Sequence, residues 1–371
     1  MKTDRKAVLL ILAFYLISLA GPLPAYGEAP QKDIQFIIET IEYVKDNYPF
    51  EVEEEELINN AVKGILQGLD PYSDYYTREE AGRLLTTITG SYVGIGLYIG
   101  ERDGYIEVIS VIKSSPAERA GIEAGDLIVS IDGKDIKDMT AEEASNLIRG
   151  PEGSTVNIGI LRKGKSKPIY FNVPRESIIL NPIEYEILED DIGYIRIYDF
   201  NPYTTKYLKE ALGKIDEKGI DKLIIDLRDN PGGLLNQALS VSRLFVPEGP
   251  ILHVRQKNKP LRTYYSTLKE PKYQLVVLVN ENTASASEIF AGAVQDRKAG
   301  VIIGAKTYGK GIIQTLYPLE DGSLIKMTTA EYLTPNQNSI HNTGIQPDII
   351  VENKRNDDLQ LKKAITTLLS S

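Results

Sequence analysis

The chain has 371 residues, 42% hydrophobic and 25% charged, with a formal net charge of −10. That composition belongs to a folded protein of roughly two or three domains. With no Cys and only two His, His253 and His341, far apart in sequence, disulfides, Cys–zinc and iron–sulfur sites, thiol catalysis and multi-His metal centres are excluded. The acidic balance also argues against nucleic acid as the main partner, because phosphate binding needs a dense cationic face.

Residues 1–27 have the layout of a secretory signal. Lys2, Arg5 and Lys6 precede an apolar run from Ala7 to Ala20, and Ala25-Tyr26-Gly27 offers a small-x-small cleavage site. Export to the periplasm or cell envelope is expected, with a membrane anchor as the outcome if the segment stays uncleaved. A run of that length spans about 21 Å of helix, short of a roughly 30 Å hydrocarbon core.

Residues 28–87 read as a helical segment. Ile34, Ile37, Ile38, Ile41, Val44 and Tyr48 follow helical spacing, and so do Leu57 to Leu69 after the acidic start Glu53–Glu56. Asp70-Pro71-Tyr72-Ser73 ends the second helix. This segment suits packing or dimerisation more than catalysis. Its apolar faces, with that of the tail, exceed what isolated helices bury, so a homodimer is expected.

Over residues 88–175 the period changes to strands: Tyr92–Ile99 and Tyr105–Val111 around an Arg102-Asp103-Gly104 turn, then Asp126–Ser130, Thr155–Arg162 and Ile169–Val173. Two short helices intervene. One opens at Ser115-Pro116 and stops at Gly121; the other has a Thr140…Glu143 capping box. Residues 176–353 alternate strands and helices: strands at Ile192–Ile197, Lys222–Leu227 and Leu275–Asn280, helices at Tyr203–Lys218, Leu234–Leu244 and about Ser285–Gln295. That is the pattern of an α/β domain with a largely buried sheet. Residues 354–371 return to helix.

The chemistry concentrates in three short blocks. Val279 to Glu288 runs from an apolar strand through small residues into a helix, where Ser285 would project beside free helix N-terminal amides. Ser285 with Glu288 also spells a capping box, which is a purely structural use of the same residues. A nucleophilic Ser needs a base. A Lys serves if burial lowers its pKa, and Lys310 lies between Gly309 and Gly311. Strand parity places Gln314 on the face of Lys310, where its amide would orient the amine; Lys306 reads as a solvated loop residue. The third block, Asp226 to Gly233, is a strand end and Gly-rich turn whose amides could supply an oxyanion donor.

Together these blocks resemble the carboxyl-terminal processing (tail-specific) serine endopeptidases. The resemblance covers essentially the whole chain after the signal, with Thr283 where that family usually has Ser. It implies Ser285 as nucleophile, Lys310 as general base and Gln314 as its positioner. Ala286 and Gly232 or Gly233 would be the oxyanion donors. It also implies an α/β protease core of the crotonase/Clp-protease spiral type, joined to a PDZ-like β-rich domain and helical N- and C-terminal segments. Within that PDZ-like module, Val93-Gly94-Ile95-Gly96-Leu97 resembles a carboxylate-binding loop. Gly94, Ile95, Gly96 and Leu97 would cradle a peptide's C-terminus while the next strand adds the peptide to its edge. The implied substrates are proteins with apolar, unstructured C-terminal tails, and neither metal nor cofactor is required. A non-catalytic peptide-binding scaffold and a crotonase-like acyl enzyme are the competing functions.

Overall fold

The computed structural model describes residues 31–354 and 357–370; the expected signal segment lies outside them. The chain divides into two units. One contains the described residues up to Leu85, Ile183–Phe200 and those from Leu208 onward; the other contains Thr86–Pro182 and Asn201–Tyr207.

In the first unit, helices α1 (Gln31–Asn47) and α2 (Glu54–Gln67) form where the apolar spacing requires them. Glu54, Glu55 and Glu56 sit in the first turn of α2, where carboxylates face the positive end of the helix dipole. A short strand β1 (Asp74–Tyr76), which was not expected, interrupts the segment read as helical, and helix α3 (Arg78–Thr89) follows it. The local signal for α3 is Thr77…Glu80: the Thr77 N–H donates to Glu80 Oε2 at 2.8 Å, half of a capping box.

The second unit holds β2 (Ser91–Gly94), β3 (Leu97–Arg102), β4 (Tyr105–Val111), α4 (Pro116–Ala120), β5 (Leu127–Ile131), β6 (Lys134–Asp135), α5 (Ala141–Ile148), β7 (Thr155–Leu161), β8 (Ile169–Pro174) and β9 (Glu176–Ile179). The strand expected over Tyr92–Ile99 is therefore two. Gly96, at φ +86, breaks it, because this left-handed conformation cannot continue a ladder. The sheet runs β3-β4-β5-β7-β8, with β6 on β5; β2 pairs separately with β9. Its apolar face packs around Ile106, Val108, Ile128, Val156, Ile158 and Val173. The Thr140–Glu143 capping box opens α5 as expected.

Back in the first unit come β10 (Ile183–Leu188), β11 (Ile192–Ile197), α6 (Thr204–Asp216, whose first turn falls in the second unit), β12 (Lys222–Asp226), α7 (Leu235–Phe245), β13 (Gly249–Gln256), β14 (Arg262–Ser266), β15 (Gln274–Val279), α8 (Ala286–Asp296), β16 (Val301–Gly304), β17 (Ile312–Pro318), β18 (Leu324–Leu333), β19 (Ile349–Ile350) and α9 (Leu359–Leu369). A six-stranded sheet has the order β10-β11-β12-β15-β16-β19 and is parallel from β11 onward. Leu275 to Val279 are all buried, as a strand covered on both faces must be. The tail helix closes one face: Ala364 and Leu368 pack with Ile192, Ile224, Val276 and Ile303. A second sheet, β1-β18-β13-β14 with β17 on β18, was not read from sequence. It joins β1 to β18, from opposite ends of the chain.

Candidate active site

Ser285 lies on the turn from β15 into α8. The turn is pinned to the end of β12, since Thr283 Oγ1 donates to the Leu227 carbonyl at 2.8 Å and the Ala284 N–H to the Asn230 carbonyl at 3.0 Å. Its backbone, at φ 55 and ψ −115, is in a region disfavoured for any residue with a Cβ. By contrast, the helix caps Ser115 and Thr140 are extended, at φ −77 and −73. A strained serine at a strand-to-helix turn is the geometry of a nucleophile elbow, which throws the hydroxyl clear of the sheet edge.

The turn after β12 packs against this elbow. Gly232 is at φ +102, and a Cβ there would lie 2.7 Å from Ser285 Cβ and 2.8 Å from the Ala286 nitrogen; only glycine fits. Fully buried Asn230 shapes the turn by donating to the Ile197 carbonyl at 2.7 Å and accepting the Gly232 N–H at 2.8 Å. That bond commits the Gly232 amide. The neighbouring Gly233 N–H and the Ala286 N–H have no hydrogen-bond partner among the described residues. Of the two glycine amides named from sequence, Gly233 therefore has the free donor, while Gly232 provides the clearance.

Lys310 is brought to the elbow by its backbone. Glu288, completely buried on α8, accepts the Ser285 N–H at 2.8 Å and the Lys310 N–H at 2.9 Å through Oε2. Its Oε1 accepts the Gly309 N–H at 2.7 Å and the Thr307 hydroxyl at 2.6 Å. Buried Tyr332 adds a second staple, with its hydroxyl 2.9 Å from the Ser285 carbonyl and 2.6 Å from that of Lys310; burial drives its pKa far up, so it stays a donor. The Lys310 amine makes no hydrogen bond to Ser285 Oγ. It lies over the Tyr72 ring, 4.8 Å from the centroid. Burial, followed by the like charge of Lys326, lowers its pKa against the opposing pull of Asp70 and Glu288. A lysine so placed supplies neutral amine more readily than a solvated one. Lys306 is exposed.

Gln314 departs from its expected place. Lys310 lies outside β17, two residues before its first residue, so it is not part of the ladder whose alternation would link the two; the register shift at Ile313/Gln314 puts its extra residue, Thr329, on β18. The Gln314 amide donates to Thr328 Oγ1 at 3.2 Å, and no hydrogen bond joins it to Lys310. Sequence reasoning missed Glu288 as a staple, Tyr332, Asn230 and Tyr72. Only Glu288 had a local signal, the Ser-x-x-Glu spacing. His253 serves packing, with Nδ1 2.7 Å from Thr263 Oγ1 and Nε2 3.2 Å from the Pro335 carbonyl.

In the second unit, β3 is an edge strand with α5 packed against it. Gly94 closes β2, Leu97 opens β3, and buried Ile95 and Gly96 lie between them. The Ile95 and Gly96 carbonyls accept the N–H groups of Ala117 and Ile112 at 2.9 and 3.0 Å, while their own N–H groups have no hydrogen-bond partner among the described residues. Adjacent free amides at the start of an open strand edge form an anion-binding concavity.

An elbow serine beside free amides and a half-buried lysine define a serine hydrolase, and the comparisons with known proteins narrow that class. Residues 191–351 match Peptidase family S41 and residues 107–162 match a PDZ domain. The chain is 39% identical to the carboxy-terminal processing protease CtpA of Bacillus subtilis, over 84% of this chain and 67% of that protein. It is also 39% identical to the carboxy-terminal-processing protease of Bartonella bacilliformis, over 84% of this chain and 73% of that one. The solved photosystem II D1 C-terminal processing protease matches with a TM-score of 0.51 at 28% identity, covering 94% of both chains. The chain belongs to peptidase family S41, the carboxy-terminal processing proteases, and is a serine-type peptidase with a PDZ domain.

Proposed function

We propose that this protein is an exported endopeptidase that cleaves proteins near their C-termini through a Ser285–Lys310 dyad, with the PDZ domain capturing the substrate tail. The names of its relatives supply the substrate class. The observation that carries the dyad is the strained Ser285 elbow beside two unpartnered amides, tied by Glu288 to the backbone of a half-buried lysine. In this reading Lys310 Nζ takes the Ser285 Oγ proton as Oγ attacks the scissile carbonyl. The Ala286 and Gly233 amides hold the oxyanion. Collapse breaks the C–N bond, Lys310 returns the proton to the leaving amine, and water then clears the acyl-enzyme. A side-chain movement must first bring the amine to Oγ, as apo sites often require.

Tail capture rests on the free Ile95 and Gly96 amides and the open edge of β3, with Gly94 and Leu97 framing the loop. Export rests on the signal-like residues 1–27. Homodimerisation rests on the apolar residues that α1 and α2 leave exposed, among them Ile34, Phe36, Tyr43 and Ile65.

The test compares residues 28–371 with the Ser285→Ala variant on an unfolded polypeptide with free or amidated C-terminus. Cleavage by the wild type alone, faster for the free end, is expected. Equal rates on the two ends would remove carboxylate capture. Lys310→Ala should abolish cleavage and leave tail binding intact; if Lys306→Ala did so instead, the base would be misassigned.

A further inference from the structure

The connection between α2 and β1 reaches the Lys310 amine. Asp70 builds it: its Oδ1 accepts the Tyr72 and Ser73 N–H groups at 2.8 and 2.9 Å, and its Oδ2 accepts the Ser73 hydroxyl at 2.9 Å. Burial alone would raise the Asp70 pKa, but these bonds outweigh it and hold it down. The Thr328 N–H then donates to Ser73 Oγ at 3.0 Å, and β1 pairs with β18. The loop is thus tied to the core immediately after Tyr72, and Asp70 braces it internally on the other side. The Tyr72 ring lies against Lys310 Nζ, 4.8 Å from its centroid, and its hydroxyl is 3.4 Å from that of Tyr308, two residues before Lys310. A parallel pair lies alongside, with Lys326 Nζ 5.0 Å from the Tyr76 ring centroid and 2.6 Å from its hydroxyl.

We propose that Tyr72 is a positioning residue for Lys310: its ring covers the amine, holds it in one place and keeps water from it. This rests on Lys310 being the general base. A phenol suits the role because its pKa is pushed up to about 12, by burial first and then by Tyr308, so it brings no negative charge to the amine. Two effects of the ring oppose each other. Its π face attracts an ammonium, while its exclusion of water favours the neutral amine. Burial is the largest influence on Lys310, so exclusion dominates and opening the roof favours the protonated form. The other titratable groups around the amine are Asp70 from the same loop, Glu288 on α8, Lys326 on β18 and Tyr308.

The experiment follows single-turnover phosphonylation of Ser285 by a fluorophosphonate across pH, in the full chain: the Oγ–P bond forms, the P–F bond breaks and fluoride leaves. This probe needs neither a protein substrate nor the PDZ domain. Tyr72→Phe should keep the acid limb of the wild type. Tyr72→Ala should move that limb up by about one pH unit, which lowers the rate on the limb about tenfold. Tyr72→Gln, which fills the space with a polar chain, should shift it the same way and carries the test if the Ala variant does not fold. An unmoved limb in the Ala or Gln variant would overturn the proposal, as would a Phe variant shifted as far as they are. Lys310→Ala separates the levels. If it still reacts with the probe, the dyad itself is wrong; if it does not while the limb stays fixed in the Tyr72 variants, only the role of Tyr72 is lost.

Discussion

Glu288 Oε2 accepts the Lys310 N–H at 2.9 Å, although 22 residues separate the two in sequence. With its bonds to Ser285, Thr307 and Gly309, one buried carboxylate satisfies four donors. Glu288→Ala strands all of them, and each buried unsatisfied group costs about 1–3 kcal/mol. The variant should lose about 3 kcal/mol or more in urea unfolding and fall below a hundredth of wild-type acylation. Glu288→Gln keeps the volume but turns an NH2 toward the donors, so it should lose activity with a smaller stability loss.

The Ser285 backbone stores strain that glycine would release. At φ 55 and ψ −115, a residue with a Cβ bears about 1–3 kcal/mol that glycine does not. Ser285→Gly and Ser285→Ala should both be inactive, with the Gly variant more stable by about 1 kcal/mol after its greater unfolded-state entropy is offset. Paired denaturant melts check the ordering.

Lys310 should weaken the fold that uses it. Its pKa is lowered in the folded state, chiefly by burial. The unfolded chain therefore binds the proton more tightly, and the folded state is penalised below the folded pKa. The penalty fades as pH rises toward the unfolded value of about 10.4. Lys310→Met should therefore melt higher than the wild type at neutral pH, with the gap closing as pH rises, and have no peptidase activity. Thermal melts at several pH values read the trend.

For the PDZ loop, Gly96 has no room to change. A Cβ there would lie 2.2 Å from Ser115 Cβ, and φ is +86. Gly96→Val should weaken binding of a free C-terminal peptide at least tenfold while fluorophosphonate labelling of Ser285 continues. Fluorescence anisotropy with free and amidated peptides would show it; unchanged affinity would remove the carboxylate-loop assignment.

What was legible in the sequence was local. The apolar run at Leu275–Val279, the Thr140–Glu143 box and the Gly-flanked Lys310 each declare themselves within a few residues, because period, caps and turns are set by neighbours along the chain. Where a local rule met a local irregularity it failed: Lys310 stays outside β17 and the Gln314 amide bonds Thr328 instead, and Gly96 split the strand drawn through it. The β1–β18 pairing and the sheet it enters had no such signal.

By itself, then, the sequence determined the α/β character of the chain, the Ser285, Lys310 and Gly232-Gly233 blocks, and the family they resemble. Only the tertiary structure decided which amide stays free, that Gly233 rather than Gly232 holds it, and that Glu288, Tyr332 and Tyr72 converge on the serine and lysine. The physical reason is that a hydrogen bond or a ring contact depends on distances of a few ångströms in space. Those distances follow from strand register and helix packing across hundreds of residues, which no spacing along the chain encodes.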